Sequence, residues 1–280
     1  MPRRLASYYF GRLNVMAQFV DKKEFLLTGL QTKKTIEKGE HLWGFFNVGE
    51  LSYAKEDFLS GYLVKLRPKT EEEVADIETH HLEYEEIENR AVAKSLFFLH
   101  VKSGLIAYHP VGRHIRDYHF RKVFARLLEA AYDDFFINAE IQTVEDRIHI
   151  FEAINRFQRI MNVSIYLHPT NPNYDIAYKL IDERIKNLEA DSYTEIYKAS
   201  PEGDGLKIKD DKEIEGKITM ADDGYGEARV TGEIDGKIIT VSTKDNPITA
   251  EAPSKAEPPS VLGVLWATFE HIRERFRNDL

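Results

Sequence analysis

The chain has 280 residues, a formal charge of −9 and a sequence pI of about 5.6, with 42% hydrophobic and 11% aromatic residues. That much apolar material buries one large core or two modest ones, while the acidic balance excludes a protein whose whole surface attracts nucleic acid or anionic membrane, leaving only local patches. Cysteine is absent, which excludes disulfides, thiolate nucleophiles and cysteine-held zinc or iron–sulfur centres.

Residues 5–110 predict strands. "LASYYFGRLNVMAQF", "HLWGFFNVGELSY", "FLSGYLVKLRP" and "SLFFLHVKSGLIAYHP" are aromatic and β-branched runs broken by glycine. Ser103-Gly104 between two apolar runs predicts a hairpin. Among these runs, "TEEEVADIETHHLEYEEIENR" carries nine acidic residues from Glu71 to Glu88 and no lysine or arginine in that span. It reads as a solvated segment or as an acidic surface for a basic partner. The adjacent His80 and His81 would point to opposite sides of a strand.

From Gly112 the period becomes helical: Phe120, Val123, Phe124, Leu127, Leu128 and Ala131 form one stripe. "FFINAEIQTV" then predicts a strand. Ile150, Ile154, Phe157 and Met161 mark a second helix, followed by the strand "VSIYLHP". "TNPN" supplies turn and cap residues before a third helix with the inner face Ala177, Ile181, Ile185 and Leu188, and "YTEIYKA" predicts another strand. A short helix is expected over 211–222. "GYGEARVTGEIDGKIITVSTKD" alternates polar with apolar around Asp235-Gly236, a tight-hairpin signal. "EAPSKAEPPS", with three prolines, predicts a linker. Leu262, Leu265, Phe269, Ile272 and Phe276 then follow three-four spacing on a terminal helix, whose stripe needs the chain's own core, a second copy or a partner to cover it.

Together these elements predict an α+β fold. Residues 1–110 are a strand-rich half. Residues 111–250 hold a central sheet with helices on one face and a C-terminal hairpin, 251–259 are a proline-rich linker, and 260–280 are an amphipathic helix. Apolar runs are too short to span a bilayer and the first residues lack a signal-peptide core, so a cytoplasmic protein without membrane contact is expected.

No stretch matches a phosphate-cradling glycine loop, a nucleophile elbow or a His-Glu-x-x-His helix. The conspicuous segment is "YHPVGRHIRDYHFRKVF", residues 108–124, with three histidines, three arginines and a lysine. A helix starting near Gly112 or Arg113 places His119, Lys122 and Arg126 on an outer flank and Arg113 and Arg116 in the first turns. Cations there oppose the helix dipole unless an anion such as phosphate sits beside them; a solvated flank accounts for the same residues. Tyr108, Tyr118 and Phe120 are near enough to stack on bases, although Phe120 belongs to the inner stripe.

His109, His114, His119 and His168 are metal-ligand types, but their spacings do not share a helical face, so no metal or cofactor is expected. Asp133 and Asp134 precede a strand on which Glu140 and Gln142 share one side, a pattern that can hold Mg²⁺ for phosphodiester hydrolysis. Gln142 stands where that pattern usually has lysine. Gly224 and Gly226 around Tyr225 suit close backbone approach to a ligand, or a turn.

At "LFFLHVKSGLIAYHP", "INRFQRIMNVSIYLHPTNP" and "DDGYGEARVTG" the sequence resembles the bacterial domain-of-unknown-function family 4747, with similar segment order along most of the chain. The resemblance implies a setting in antiviral defence or nucleic-acid biology and carries over no catalytic residue. The leading expectation is a non-catalytic nucleic-acid-binding or sensing component of a bacterial defence system, holding DNA or RNA through Arg113, Arg116, His119, Lys122 and Arg126. The alternative is an interaction or scaffold protein working through the acidic segment and the terminal helix. A Mg²⁺-dependent nuclease using Glu140 ranks third.

Overall fold

The computed structural model describes residues 5–16, 21–78, 80–133, 137–145, 147–170 and 178–274. Asp134, Ala177, Phe276 and most of the "TNPN" turn fall outside those residues. The remaining predicted elements assemble into an α+β fold built on two antiparallel sheets.

The larger sheet grows from β1 (Leu5–Met16), with β2 (Ile36–Lys38), β3 (His41–Tyr53), β4 (Glu56–Asp76), β5 (His81–His100), β6 (Leu105–Tyr108), β7 (Asn138–Thr143) and β12 (Thr249–Pro253). Their order is β12-β1-β6-β5-β4-β3-β2. One edge of β1 pairs with β6; the other is shared, β12 taking Leu5–Tyr9 and β7 taking Gly11–Met16. Alternation along β1 sends Leu13 and Val15 to one face and Tyr8 and Phe10 to the other.

Helices cover both faces of this sheet. On the first lie α1 (Lys22–Leu30) and α2 (Asp117–Ala131), whose Phe120, Val123, Phe124, Leu127 and Leu128 are buried as the periodicity requires. On the second lies α6 (Pro258–Glu274), which buries Leu262, Leu265, Phe269 and Ile272 against Tyr8, Phe10, Phe58 and Phe98. Of the three covers left open for this stripe, the chain's own sheet is the one that buries its described residues, so Leu262, Leu265, Phe269 and Ile272 are not free for a partner. Arg273 fastens the far end of α6, donating from Nη2 to Glu56 Oε1 at 2.6 Å.

Part of the predicted linker is strand β12. Its proline, Pro253, ends an edge strand where no N–H is needed, and Pro258 opens α6, a position that tolerates proline for the same reason.

The acidic stretch is also strand. Beyond the sheet, β4 and β5 continue pairing alone from Arg67 opposite Arg90 to Asp76 opposite His81, an arm of about 30 Å at the strand rise per residue. Of its described side chains only Thr70 and Ile87, which face each other, are half-buried; the others are exposed. Composition alone marks this stretch as solvated, but the ladder inside the core templates its continuation.

The smaller sheet, ordered β11-β10-β8-β9, contains β8 (Arg159–Leu167), β9 (Tyr193–Lys198), β10 (Gly226–Ile234) and β11 (Lys237–Ser242). One face carries α3 (Arg147–Arg156), α4 (Lys179–Asn187) and α5 (Lys212–Met220) around Ile154, Phe157, Ile185, Ile214 and Ile218. Asp235 and Gly236, both at positive φ (49° and 73°), turn the predicted hairpin. Met161 lies in β8, not in the preceding helix, and Leu188 is an exposed cap of α4.

The sheets are joined where Gly224-Tyr225-Gly226 meets β1. The buried Arg12 donates from Nε to Asp223 O (2.6 Å) and from Nη1 to Ser103 O (2.8 Å), with its guanidinium 4.3 Å from the Tyr225 ring centre. Asn14 Nδ2 donates to Gly224 O at 2.8 Å. The two glycines thus admit neighbouring chain, Arg12 at Gly224 and the Tyr166 carbonyl at Gly226.

Beside this junction, burial pushes the Glu145 carboxyl up to about 7, against hydrogen bonds from Thr143 and from the Asn246 N–H that lower it. The folded chain then keeps a proton that the unfolded chain releases near pH 4.3, so stability falls as pH rises from about 4 to 7. Glu145→Gln is expected to raise stability by about 1–3 kcal/mol at pH 8 and to leave it nearly unchanged at pH 4, as read by denaturant unfolding at both.

Candidate functional site

Helix α2 starts at Asp117, about one turn later than the sequence suggests. Arg116 is its N-cap, and Arg113 sits in the turn bridged by Val111 and Ile115. A carboxylate therefore occupies the first turn, where the dipole favours it. Asp117 accepts hydrogen bonds from the Tyr108 hydroxyl and from Arg121, whose Nη2 is 2.8 Å away.

The outer side of α2 forms one wall of a cleft of about 660 Å³ against β2 and β7. Ile36, Val123, Ala139 and Ile141 supply its apolar lining, while Lys38, Arg121, Lys122, Arg126 and Lys244 place cations around it. Arg121 is neutralised by Asp117, and Lys244 by Glu227 at 2.5 Å. Lys38, Lys122 and Arg126, with the neighbouring Arg113 and Arg116, have no carboxylate partner among the described residues. In a chain of charge −9, five cations against the three carboxylates Glu37, Glu129 and Glu140 make this cleft locally positive.

The histidines register the same field. His119 is held below its ordinary value by partial burial and by Lys38, Arg116 and Lys65. His41 is lowered likewise by burial, Lys65, Arg67 and His114, with Glu40 opposing. Tyr118, 52% exposed, has its phenol lowered by a hydrogen bond and charge from Lys122, whose Nζ lies 4.7 Å from the ring centre. Of the three aromatics considered for stacking, Tyr118 alone reaches solvent; Tyr108 and Phe120 are buried and stack on each other at 4.2 Å.

Of the predicted residues, Lys122 and Arg126 line the cleft; Arg116 and His119 lie at the start of α2 outside that lining, and Arg113 precedes the helix on its turn. Sequence reasoning missed Lys38, His41, Lys65, Arg67 and Lys244. These are isolated basic residues on strands and loops, and only pairing such as Lys38 opposite His41 makes them neighbours of α2.

Three carboxylates also line the cleft: Glu37, Glu129, which accepts from the Ala139 N–H at 3.0 Å, and Glu140. Glu140 lies with Oε2 2.8 Å from His168 Nε2 and accepts from Gln142 Nε2 at 2.5 Å. Burial works against its charge, yet His168, Lys244 and Arg121 keep it below the usual carboxylate range. Asp133 pairs instead with Lys34, and His109 rests on the Ser7 carbonyl. Among the described residues no group of three or more acids and histidines could hold a metal ion.

An α+β protein with two antiparallel sheets and a cation-rimmed, apolar-floored cleft is the class that fold and site define. The chain belongs to the family described as Domain of unknown function (DUF4747), whose model matches residues 6–262, both sheets and the start of α6 included. Among curated proteins none matches. No described helix is long and apolar enough to cross a membrane.

Proposed function

We propose that the protein is a non-catalytic nucleic-acid-binding or sensing component of a bacterial antiviral defence system, with the cleft beside α2 as its site. The observation that carries this reading is the set of cleft cations without carboxylate partners among the described residues, Lys38, Lys122 and Arg126, beside an exposed Tyr118. Phosphates meet the cations while an unpaired base stacks on the tyrosine, the combination used for single strands. Glu140, fixed by His168 and Gln142, offers a base amino group an acceptor and repels phosphate from that wall. The defence setting comes from the family resemblance alone.

The test is binding of labelled single- and double-stranded DNA and RNA across a salt series, with and without Mg²⁺. Affinity is expected to fall steeply with salt, and Lys122→Glu with Arg126→Glu to weaken binding at least about tenfold and flatten the salt slope by about 1.5. Unchanged binding by that double variant removes the cleft from consideration. Mg²⁺-dependent cleavage lost on Glu140→Ala would favour the nuclease reading instead.

Binding also carries a pH signature. Burial first and neighbouring cations second hold the pKa values of His119 and His41 down; phosphate beside them favours the charged imidazoles, so the complex takes up protons and affinity rises as pH falls through and below the ordinary imidazole range. His119→Gln is expected to blunt that rise, measured as Kd at several pH values.

A further inference from the structure

The acidic arm is built against its own stability. Glu71 and Glu86 stand directly opposite each other, an arrangement that destabilises a ribbon unless a cation approaches. The one described ion pair within the arm, Lys69 to Glu86 at 2.7 Å, is exposed on both sides and contributes little. Toward the tip, Ile77, Leu82 and Tyr84 lie 83%, 63% and 71% exposed, and no other element covers them. A two-stranded ribbon of this kind is marginal in water by itself.

From residue 70 to 87 the arm carries no lysine or arginine, and the same chain displays elsewhere what complements it: Lys38, Lys122 and Arg126, without carboxylate partners among the described residues, beside an apolar-floored cleft with an exposed tyrosine. The ladder carries the arm outward from the sheet, and its exposed side chains leave it off its own α2 surface. Charge complementarity between these two surfaces therefore favours a second copy as the occupant. We infer that the acidic arm of one copy docks on the basic α2 surface of another, reciprocally, so that two arms shield two clefts in a two-fold dimer. An isologous contact of this kind closes on itself and needs no further partner. Its regulatory consequence, which rests on the nucleic-acid reading above, is competition: the arm occupies the place of the phosphates, and nucleic acid must displace it.

The experiment is sedimentation equilibrium of the full chain at about 50 mM and about 1 M salt, since screening over that range separates exposed charges. A dimer at low salt that dissociates at high salt is expected. Replacing residues 70–87 by an Asn-Gly turn between Lys69 and Glu88, which already stand opposite each other, should give a monomer in both conditions. The paired reversals Glu71→Lys with Glu86→Lys, and Lys122→Glu with Arg126→Glu, should each be monomeric alone and form a heterodimer when mixed. Thermal melts check that each variant is folded, and the mixing rescue separates docking from damage. The shortened variant should also bind an oligonucleotide several-fold more tightly at low salt.

A wild-type monomer in every condition overturns the inference whatever the oligonucleotide result, and so does a dimer that survives both shortening and reversal. A tighter-binding wild type than shortened variant overturns the competition. A salt-sensitive, arm-dependent dimer that binds no oligonucleotide in either form keeps the dimer and sinks the nucleic-acid reading.

Discussion

Gly226→Ala is expected to cost about 4 kcal/mol or more and to unfold the smaller sheet, because the added Cβ would fall 1.9 Å from the Tyr166 carbonyl oxygen and 2.9 Å from Leu167 Cα. Backbone, not a movable side chain, is in the way, so the strands must part. Gly226 lies opposite Leu167 at the start of the β8–β10 ladder, and separating that pair loosens the junction where Arg12 reaches Asp223. Gly236→Ala makes the informative comparison. Nothing lies within 4 Å of its added Cβ, and the cost there is the left-handed backbone alone, about 1 kcal/mol. Denaturant unfolding of both variants reads the difference; equal effects would show that the β8 contact yields easily.

Phe269→Ala is the second large effect. The ring lies 5.1 Å from Phe10 and 5.2 Å from Phe58, edge-on to both, and is fully buried. Truncation loses transfer energy and leaves a cavity, together about 3–5 kcal/mol. Because α6 covers the face of the larger sheet that carries Tyr8, Phe10, Phe58 and Phe98, the variant should bind a hydrophobic dye and melt earlier, and removing residues 260–280 should destabilise that sheet as well. A truncated chain as stable as the full one would show that α6 is an appendage, as a partner-binding helix would be.

Local pattern was legible wherever a single element decided the outcome. The α2 stripe, the Asp235-Gly236 hairpin and the α6 stripe follow from side-chain period and turn chemistry, which neighbouring residues determine. What the stripe of α6 rests on was open, since covering an apolar face is a property of tertiary packing. Long-range pairing was hidden for the same reason. Proline marked 251–259 as a linker, although Pro253 ends a strand whose partner is Leu5; charge marked 71–88 as solvated, although the Phe58–His100 end of the same ladder holds it in strand form. The site divides likewise. Arg116, His119, Lys122 and Arg126 share a short segment and could be read together, whereas Lys38, Lys65 and Lys244 become their neighbours only through sheet register and loop placement.

Strand β1 has a kinetic consequence. Its first residues pair with a strand about 250 positions later, so the edge of the larger sheet closes across nearly the whole chain, at a high entropic cost. The smaller sheet is contained within residues 159–242 and completes its own ladder from nearer partners. During synthesis β1 waits for β12 and α6 with Tyr8 and Phe10 uncovered, while the smaller sheet can already be formed. A chain halted before residue 249 therefore leaves one apolar sheet face open, and that is the stage of synthesis at which exposed apolar surface invites aggregation.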